Sequence, residues 1–390
     1  MRAMNTPEGN GIIRADYGAS VPEIEATLRR IIEEFFLDKD GFIYACINSR
    51  TLEPFRDSDP EVNQKPIHES WVANGSFPYD LKRTFHNYED SDMAAGDYLM
   101  ALMSRQAATK DAATANKARA FFRAMVKLYD TVAEKSPYGA GFLPKPYSGI
   151  DRAHESFETS ADQYFKFTVS IEKYGAWTTD PEEKAKTREM LLAFARWMDD
   201  RDFVTSYMGD PGWGRLIHLM HYLGYFAYIM ALGYRLAGND HYRQEALFFR
   251  DRMMAQGSRS PSPNSLNLVV EILDRLVDLM PEHKEDWLEL MARDWDNRHA
   301  YVNDDGVAHF SGYTWNCGAR MASTYNTIVK HFPEKKGDLD LTTLLSKHNR
   351  LEHFILQIGA DDPKDMTYPE CRYSIVSQYY ACWLRAHWES

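Results

Sequence analysis

The sequence has few of the residues and motifs that mark metal-binding, disulfide-rich or nucleotide-binding proteins. Only four of its 390 residues are cysteines, and no two of them form a CxxC pair, which argues against a zinc site or a disulfide framework. Neither a GxGxxG nor a GxxxxGK[ST] phosphate loop is present. We therefore expect no metal site and no cofactor. The cysteines are expected to act as small buried apolar residues; they are Cys46, Cys317, Cys371 and Cys382.

Long uncharged apolar runs and an excess of basic residues are also missing. No apolar run is long enough to span a bilayer, and the first residues, MRAMNTPEGNGIIRADYG, lack the core of a signal peptide. The net charge of −12 argues against a nucleic-acid or membrane partner. These features predict a cytoplasmic protein, or a periplasmic or secreted one if a leader was removed. They leave the oligomeric state open.

What the sequence does contain is a slow alternation of two helix types. Residues 182–201 keep their charges on one side, whereas residues 91–106 and 215–236 are apolar on nearly every face. The apolar type begins near residues 91, 159, 215, 265, 315 and 373, an average step of about 56 residues, which is enough for two helices and two loops. The amphipathic partners are predicted at 21–37, 112–134, 182–201, 241–256, 283–298 and 341–358.

Six such pairs predict an all-α protein with an (α/α)6 barrel, an inner ring of helices inside an outer ring. No linker interrupts the alternation, so we expect one domain over residues 1–390. The long loops are those that run from an outer helix to the next inner helix: 38–90, 135–157, 203–214 and 299–314. All four should lie at the end of the barrel where the inner helices begin, which we call the mouth. Long loops in a compact domain usually carry function.

Two of the predicted inner helices begin among carboxylates. The first entrance reads HNYEDSDMAAGDY and places Glu89, Asp90 and Asp92 at the start of a helix. The second reads DRAHESFETSADQYFKF and places His154, Glu158 and Asp162 around the start of the next inner helix.

Neighbouring helices pack about 8–10 Å apart, so carboxylates at the two entrances should face each other. A separation of about 6.5–9.5 Å is typical of the acid and base of an inverting glycosidase. We expect Asp90 or Asp92 on one side and Glu158 or Asp162 on the other, with His154 assisting. The alternative for each acid is helix capping, since an acid in a first turn is stabilised by the helix dipole. Capping explains single acids better than it explains the cluster.

Aromatic and basic side chains also gather at the predicted helix entrances. Sugar rings pack on aromatic planes while their hydroxyl groups bind polar side chains, although each aromatic could equally pack a loop onto the barrel. His218 and His221 are three residues apart and should share one helix face, as core or substrate-binding residues rather than metal ligands. Arginines could clamp the carboxylate of a uronic acid. The substrate-binding candidates are Glu89, Trp213, Arg215, His218, His221, Tyr313, Trp315, Asn316, Arg320 and Arg372.

This layout resembles the six-hairpin glycosidase superfamily, which includes unsaturated glucuronyl and rhamnogalacturonyl hydrolases and toroid-containing polysaccharide lyases. In the uronyl hydrolases, aspartates near inner-helix starts protonate a vinyl ether and activate water. YEDSD at 88–92 and ETSADQY at 158–164 look like the corresponding places. The segment GFIYACINSRTLEPF at 41–55, which we predict to form a small hairpin over the mouth, is also similar to uncharacterised members of this superfamily.

Together these patterns favour a glycoside hydrolase that acts on an oligosaccharide containing a uronic acid. The first alternative is a polysaccharide lyase, in which Tyr313 or His218 removes a proton while Arg215 and Asn316 neutralise the developing charge. A sugar epimerase is a further alternative and would need paired histidines at opposite inner helices. A noncatalytic glycan-binding protein would use the aromatic residues and not the acids.

Overall fold

The structure is a computed structural model that describes residues 20–48, 53–56, 87–207, 210–256, 260, 262–296, 317–340, 344–345, 370–372 and 374–389. In chain order the α-helices are α1 (Val21–Ile31, continued by a π-helical turn, Ile32–Phe36), α2 (Ser91–Thr109), α3 (Ala112–Lys135), α4 (Ala161–Trp177), α5 (Pro181–Asp199), α6 (Met220–Ala237), α7 (Asp240–Gln256), α8 (Pro263–Leu279), α9 (Lys284–Asp296), α10 (Cys317–His331) and α11 (Ser374–Glu389). Short 3-10 helices cover Ile150–Glu155, Pro281–His283 and Pro333–Lys335.

Two kinds of helix alternate along the chain, as the hydrophobic pattern predicts. In α6 every residue from 222 to 233 is buried, so this helix has no solvent-facing side over that length. The next helix, α7, buries only Tyr242, Ala246, Phe249 and Met253, which recur at helical spacing on one face. Helices α2, α4, α6, α8, α10 and α11 form the inner set, and α1, α3, α5, α7 and α9 the outer set.

The inner helices form a closed ring. Each contacts the next in chain order, and α11 contacts α2, which closes the circle. One hydrophobic cluster runs from Ile24 in α1 to Cys382 in α11 and takes residues from every helix between them. The core therefore lies between the two rings and around the barrel axis, and the predicted (α/α)6 fold is confirmed.

Tight capping explains why the connections from inner to outer helices are short. Helix α2 ends at Lys110 in the left-handed conformation (φ 56°). The next residue, Asp111, accepts hydrogen bonds from the backbone N–H groups of Ala113 and Thr114 and so begins α3 at once. Asp180 caps α5 in the same way, with Pro181 as the first helical residue. The chain therefore reverses direction within a few residues.

Short strands lie near the mouth. Strands β2 (Thr205–Tyr207) and β3 (Asp210–Trp213) pair in an antiparallel hairpin between α5 and α6. Strand β1 (Cys46–Asn48) pairs instead with β4 (Glu370–Arg372), more than three hundred residues away. The segment 41–55 thus contains a strand, but the partner of that strand comes from the other end of the chain rather than from a local hairpin.

Helix α6 begins five residues later than the sequence predicts, at Met220 rather than at residue 215. Trp213 pairs with Thr205 in the hairpin, and the backbone N–H of Ile217 donates to the carbonyl of Gly214 in a turn. A short strand and a turn of this kind leave no signal in the periodicity of apolar residues. The prediction that His218 and His221 share a helix face is therefore wrong, because His218 lies before the helix and is exposed.

Some predictions fall largely outside the described residues. Of the outer helix predicted at 341–358, only Leu344 and Leu345 are described, and both are buried. The loop at 299–314 is not described, and the single-domain assignment stays a prediction. Within the described residues, no helix combines the length and apolarity needed to cross a membrane.

Candidate active site

The first entrance gathers three acids, which we call the mouth acids: Glu89, Asp90 and Asp92. Asp90 occupies the N-cap position of α2, yet its side chain makes no capping hydrogen bond. Asp92, in the first turn, is completely buried. Neither of its carboxylate oxygens has a hydrogen-bond partner in the described part of the chain. Helix capping therefore does not account for these two acids.

Gln163 joins the two entrances. Its Nε2 donates to Oδ1 of Asp90 at 2.8 Å, and its Oε1 accepts from the backbone N–H of Met93 at 3.2 Å. Ser160, the N-cap residue of α4, makes no side-chain capping hydrogen bond. The first turns of α2 and α4 are thus held side by side, as the facing-entrance hypothesis requires.

A glycine allows this close approach of the two inner helices. A Cβ at Gly96 in α2 would lie 2.3 Å from the carbonyl oxygen of Lys166 in α4. Only a residue without a side chain leaves that space free. The contact sits one turn below Asp92, so it fixes the separation of the two entrances.

A buried lysine supplies positive charge to the mouth acids. Lys145 is only 3% exposed, and its Nζ lies 3.4 Å from Oε1 of Glu89 and 3.8 Å from Oδ1 of Asp90. Its backbone N–H donates to the carbonyl of Glu158 at 2.7 Å. Lys145 is not among the site residues predicted from the sequence. The available signal was a lysine between two prolines in an aromatic-rich long loop.

The mouth acids differ sharply in environment. Burial raises the pKa of the Asp92 carboxyl well above its usual range, while the charge of Lys145 lowers it and that of Asp90 raises it. Asp90 keeps an amide donor and a nearby ammonium group. Asp92 is thus the acid driven toward its neutral form, whereas Asp90 faces a hydrogen-bond donor and an ammonium group. Two carboxyl groups in such different environments can act as a proton donor and an ionised partner.

The second entrance contributes Glu158 and Asp162. Glu158 is 1% exposed, and its Oε2 accepts from the Tyr147 hydroxyl at 3.0 Å. Asp162 accepts from the Ser160 hydroxyl and from the backbone N–H of Gln163. Both acids therefore lie at the start of α4, and the contacts of Gln163 and Lys145 tie this start to the mouth acids.

His221 lies in the first turn of the next inner helix, α6. Burial lowers the pKa of its imidazole, and the charge of Asp162 acts in the opposite direction. Its Nδ1 is buried without a hydrogen-bond partner in the described part of the chain. The structure thus brings His221 to the second entrance, next to Asp162.

A layer of buried charges, which we call the floor cluster, lies beneath the mouth. Nζ of Lys166 lies 3.1 Å from Oδ1 of Asp97 and 2.5 Å from Oε2 of Glu271. Nη1 of Arg320 lies 3.2 Å from Oδ2 of Asp97, which also accepts from the Ser377 hydroxyl. Burial alone would raise the pKa of Asp97, but Lys166 and Arg320 hold it below its ordinary value. Including Asn267, the cluster takes side chains from five inner helices.

The floor cluster corrects the role expected for Arg320. Its guanidinium contacts Asp97 and Asn267 and is only 8% exposed. These contacts hold the guanidinium of Arg320 in the protein interior, beneath the mouth. The side chain of Arg372, by contrast, lies outside the described residues, as do Tyr313, Trp315 and Asn316.

Three other candidates lie in the connections that precede α4 and α6. Arg215 pairs with Asp202 and Glu245, so its carboxylate partners are not those of the mouth. His154 lies in the 3-10 helix before the second entrance, with a buried Nδ1 that has no partner among the described residues. Trp213 lies in strand β3, and its side chain is outside the described set.

Three solved structures are similar to this chain over nearly its whole length. A family 76 glycoside hydrolase (mannosidase) from Bacteroides thetaiotaomicron is similar with a TM-score of 0.54 at 10% identity, covering 95% of this chain and 98% of that one. A sugar epimerase from a ruminal bacterium gives 0.52 at 11% identity, covering 93% and 99%. An inactive variant of an α-1,6-mannanase from Salegentibacter sp., bound to α-1,6-mannotriose, gives 0.50 at 10% identity, covering 94% and 99%. This chain therefore shares the (α/α)6 fold of these three proteins.

Comparisons of sequence add no family assignment to this similarity of fold. No family model matches the chain, and no curated protein matches it. None of the three solved structures is described as a lyase or as acting on a uronic acid, so they lend no support to those two expectations. The described residues contain no cluster of side chains that could hold a metal ion.

Proposed function

We propose that this six-hairpin protein is a glycoside hydrolase that cleaves an oligosaccharide with carboxylates at the barrel mouth. The observation that carries the proposal is the contrast between Asp92, buried and driven toward its neutral form, and Asp90, which accepts a hydrogen bond from Gln163. Glycosidic cleavage needs one carboxylic acid that protonates the leaving oxygen and one carboxylate that activates water or attacks the sugar.

In this mechanism Asp92 donates the proton and Asp90 is the ionised partner. Lys145 keeps Asp90 ionised through its positive charge, and Gln163 orients the carboxylate. Glu158, held by Tyr147, is the candidate on the opposite side if the reacting pair spans the two entrances. His221 and Asp162 would bind sugar hydroxyl groups.

The choice of substrate rests on the ligand of one structurally similar protein and on the positive charge at the mouth. One neighbour is described in complex with α-1,6-mannotriose, which makes a neutral α-linked mannooligosaccharide the first substrate class to test. A uronate-containing oligosaccharide is the second, because Lys145 brings positive charge to the mouth and could pair with a sugar carboxylate.

The structural similarity to a sugar epimerase supports a second candidate function. His221 is a buried imidazole beside a carboxylate, as a base for proton abstraction next to a sugar carbonyl would be. However, among the described residues His221 is the only histidine in the first turn of an inner helix. A two-histidine epimerase is therefore less favoured than a hydrolase.

The test is a turnover assay on the full chain with α-1,6-mannotetraose and with a saturated and an unsaturated uronate oligosaccharide. New reducing ends without a change in ultraviolet absorbance indicate hydrolysis of a saturated sugar, and a fall in absorbance indicates hydrolysis of the unsaturated uronate. A rise in absorbance indicates a lyase. Conversion between epimers without new reducing ends indicates an epimerase. We expect hydrolysis.

Amide variants then test the assigned residues. Asp92→Asn and Asp90→Asn should each lower kcat by at least about a hundredfold, the contribution of an acid or base catalyst, and keep oligosaccharide binding. Asp111→Asn, which alters an exposed helix cap, is the matched control and should keep full turnover. Wild-type protein that binds oligosaccharides but turns none over would contradict the proposal in favour of a glycan-binding protein.

A further inference from the structure

A cavity lies at the end of the barrel opposite the mouth. It has a volume of about 700 Å³ and is lined by side chains from α2, α4, α8, α10 and α11. Its lining residues come from the middle and the C-terminal halves of these helices, and Ser104 in α2 and Trp177 in α4 lie in those C-terminal halves. Ser104 follows Asp92 by twelve residues, so it lies about 18 Å farther along the helix axis. The floor cluster separates the two ends.

The volume and lining are those of a small-molecule site. Ligand pockets usually measure about 300–1,000 Å³ and combine a mostly apolar wall with a few placed polar groups. One part of this wall is apolar and adaptable, formed by Met100, Met103, Val169, Tyr380 and Leu384. The rest carries charged side chains, so the cavity has an apolar and an ionic side.

The acids of the ionic side are already paired. Oε2 of Glu271 lies 2.5 Å from Nζ of Lys166 in the floor cluster. Oδ1 of Asp274 lies 2.5 Å from Nζ of Lys330 and 2.7 Å from Nε2 of His331. Neither carboxylate needs a further cation.

Among the bases, Arg275 is paired and Lys173 is not. The guanidinium of Arg275 contacts Glu172 at 2.8 Å and Asp278 at 2.8 Å. Lys173 lines the cavity, is only partly buried, and makes no hydrogen bond or ion pair with any residue in the described part of the chain. Burial lowers the pKa of its ammonium group, while the charges of Asp274, Glu271 and Glu172 act in the opposite direction. Its ammonium group can therefore form a charge-assisted hydrogen bond with a ligand in the cavity.

We propose that this C-terminal cavity binds an organic monocarboxylate, whose carboxylate pairs with Lys173 and whose apolar body packs on the methionine side of the wall. This proposal does not depend on the proposed hydrolase activity, because the cavity and the mouth share no residues.

The charge of the cavity selects a monoanion. Lys173 is the one lining cation that lacks a partner among the described residues, so it can neutralise one negative charge. Glu271, Asp274 and the negative ends of five helix dipoles oppose any anion in the cavity. Only the first negative charge has Lys173 to offset them. A phosphate monoester dianion is therefore disfavoured, and an apolar tail is favoured over a second polar group.

The test uses octanoate as the probe and titrates it into the full-length protein by calorimetry. Three comparison compounds each change one property of octanoate. Octanamide removes the negative charge, octylamine replaces it with a positive charge, and acetate removes the apolar tail. We expect octanoate to bind and to raise the melting temperature, because a ligand that binds only the folded state stabilises it. The three comparison compounds should bind at least about tenfold more weakly, given the strength of charge-assisted hydrogen bonds.

Two variants locate the binding site. Lys173→Met keeps the length of the side chain and should weaken octanoate at least about tenfold, whereas Lys135→Met, an exposed lysine at the end of α3, should change nothing. Ala107→Phe fills the cavity from the other wall and should also weaken binding. The proposal is overturned if octanoate gives no binding, if octanamide or octylamine binds as well, or if folded Lys173→Met and Ala107→Phe proteins both keep wild-type affinity.

Discussion

The side-chain amide of Gln163 donates a 2.8 Å hydrogen bond to Asp90, although seventy-three residues separate them in the chain. The other end of the same amide accepts from the backbone of Met93. One side chain of α4 thus holds both the N-cap residue and the first turn of α2. The mouth acids owe their position to this contact between neighbouring inner helices, and not to capping of their own helix.

Asp92→Asn should make the free energy of unfolding less dependent on pH. The pKa of this carboxyl is raised from 3.8 by burial in the folded state, so the unfolded chain releases its proton first. The wild-type protein therefore loses stability as pH rises above 3.8 and through the folded-state pKa. Relative to wild type, Asp92→Asn should gain stability toward neutral pH. Urea unfolding across a pH series measures this.

Asp111→Asn is the matched control, because its shift has the opposite sign. Hydrogen bonds from the Thr114 side chain and from backbone N–H groups lower the pKa of Asp111. Its contribution to stability is present above the unfolded-state pKa and is lost as pH falls through the folded-state value. Asp111→Asn should therefore lose stability relative to wild type at neutral pH and not in acid. Parallel pH profiles for the two variants would contradict the raised pKa of Asp92.

Lys145→Met should move the alkaline limb of the pH dependence of kcat/KM to higher pH. The charge of Lys145 lowers the pKa of Asp92, so its removal raises that pKa and keeps the proton donor neutral at higher pH. The profile of kcat/KM reports groups of the free enzyme. Lys127→Met removes an exposed lysine that pairs with Asp40 and should leave the profile unchanged. An alkaline limb that stays in place, or moves to lower pH, would exclude Asp92 as the proton donor.

Lys166→Met should destabilise the fold by about 3–5 kcal/mol, the range found when one partner of a buried ion pair is removed. Lys166 is completely buried and lies between Asp97 and Glu271, so both carboxylates lose a partner. Lys184→Met on the exposed face of α5 should stay within about 0.5 kcal/mol of wild type. Denaturant unfolding compares them, and equal midpoints for the two variants would mean that the floor cluster does not stabilise the barrel.

Gly96→Ala should destabilise the protein by about 1–3 kcal/mol, as overpacking does, even though alanine favours a helix by about 1 kcal/mol. The new Cβ meets the backbone oxygen of Lys166, which cannot move without shifting α4. Gly224→Ala is the control in another inner helix, because its nearest neighbour, at 3.1 Å, is a side-chain methyl group of Ile272 that can adjust. Thermal unfolding of both variants measures the difference, and a Gly96→Ala protein as stable as wild type would contradict the close contact.

Much of the fold could be predicted from hydrophobic periodicity alone. The predicted outer helix at 112–134 matches Ala112–Lys135, and the predicted inner start at residue 91 matches Ser91. The pattern works because an inner helix must be apolar all round and an outer helix on one face. It failed at α6, where a strand and a turn precede Met220, since backbone pairing with Thr205 leaves no periodic trace.

The sequence by itself determined the alternation of helices, the end of the barrel that carries the long loops, and the acids that gather there. Only the tertiary structure decided how those acids differ. Asp90 and Asp92 are two residues apart and chemically identical, yet one accepts a hydrogen bond from Gln163 and the other is buried without a partner among the described residues. The environment of a carboxyl depends on groups brought from distant parts of the chain, here Lys145 and Gln163. No local pattern contains that information.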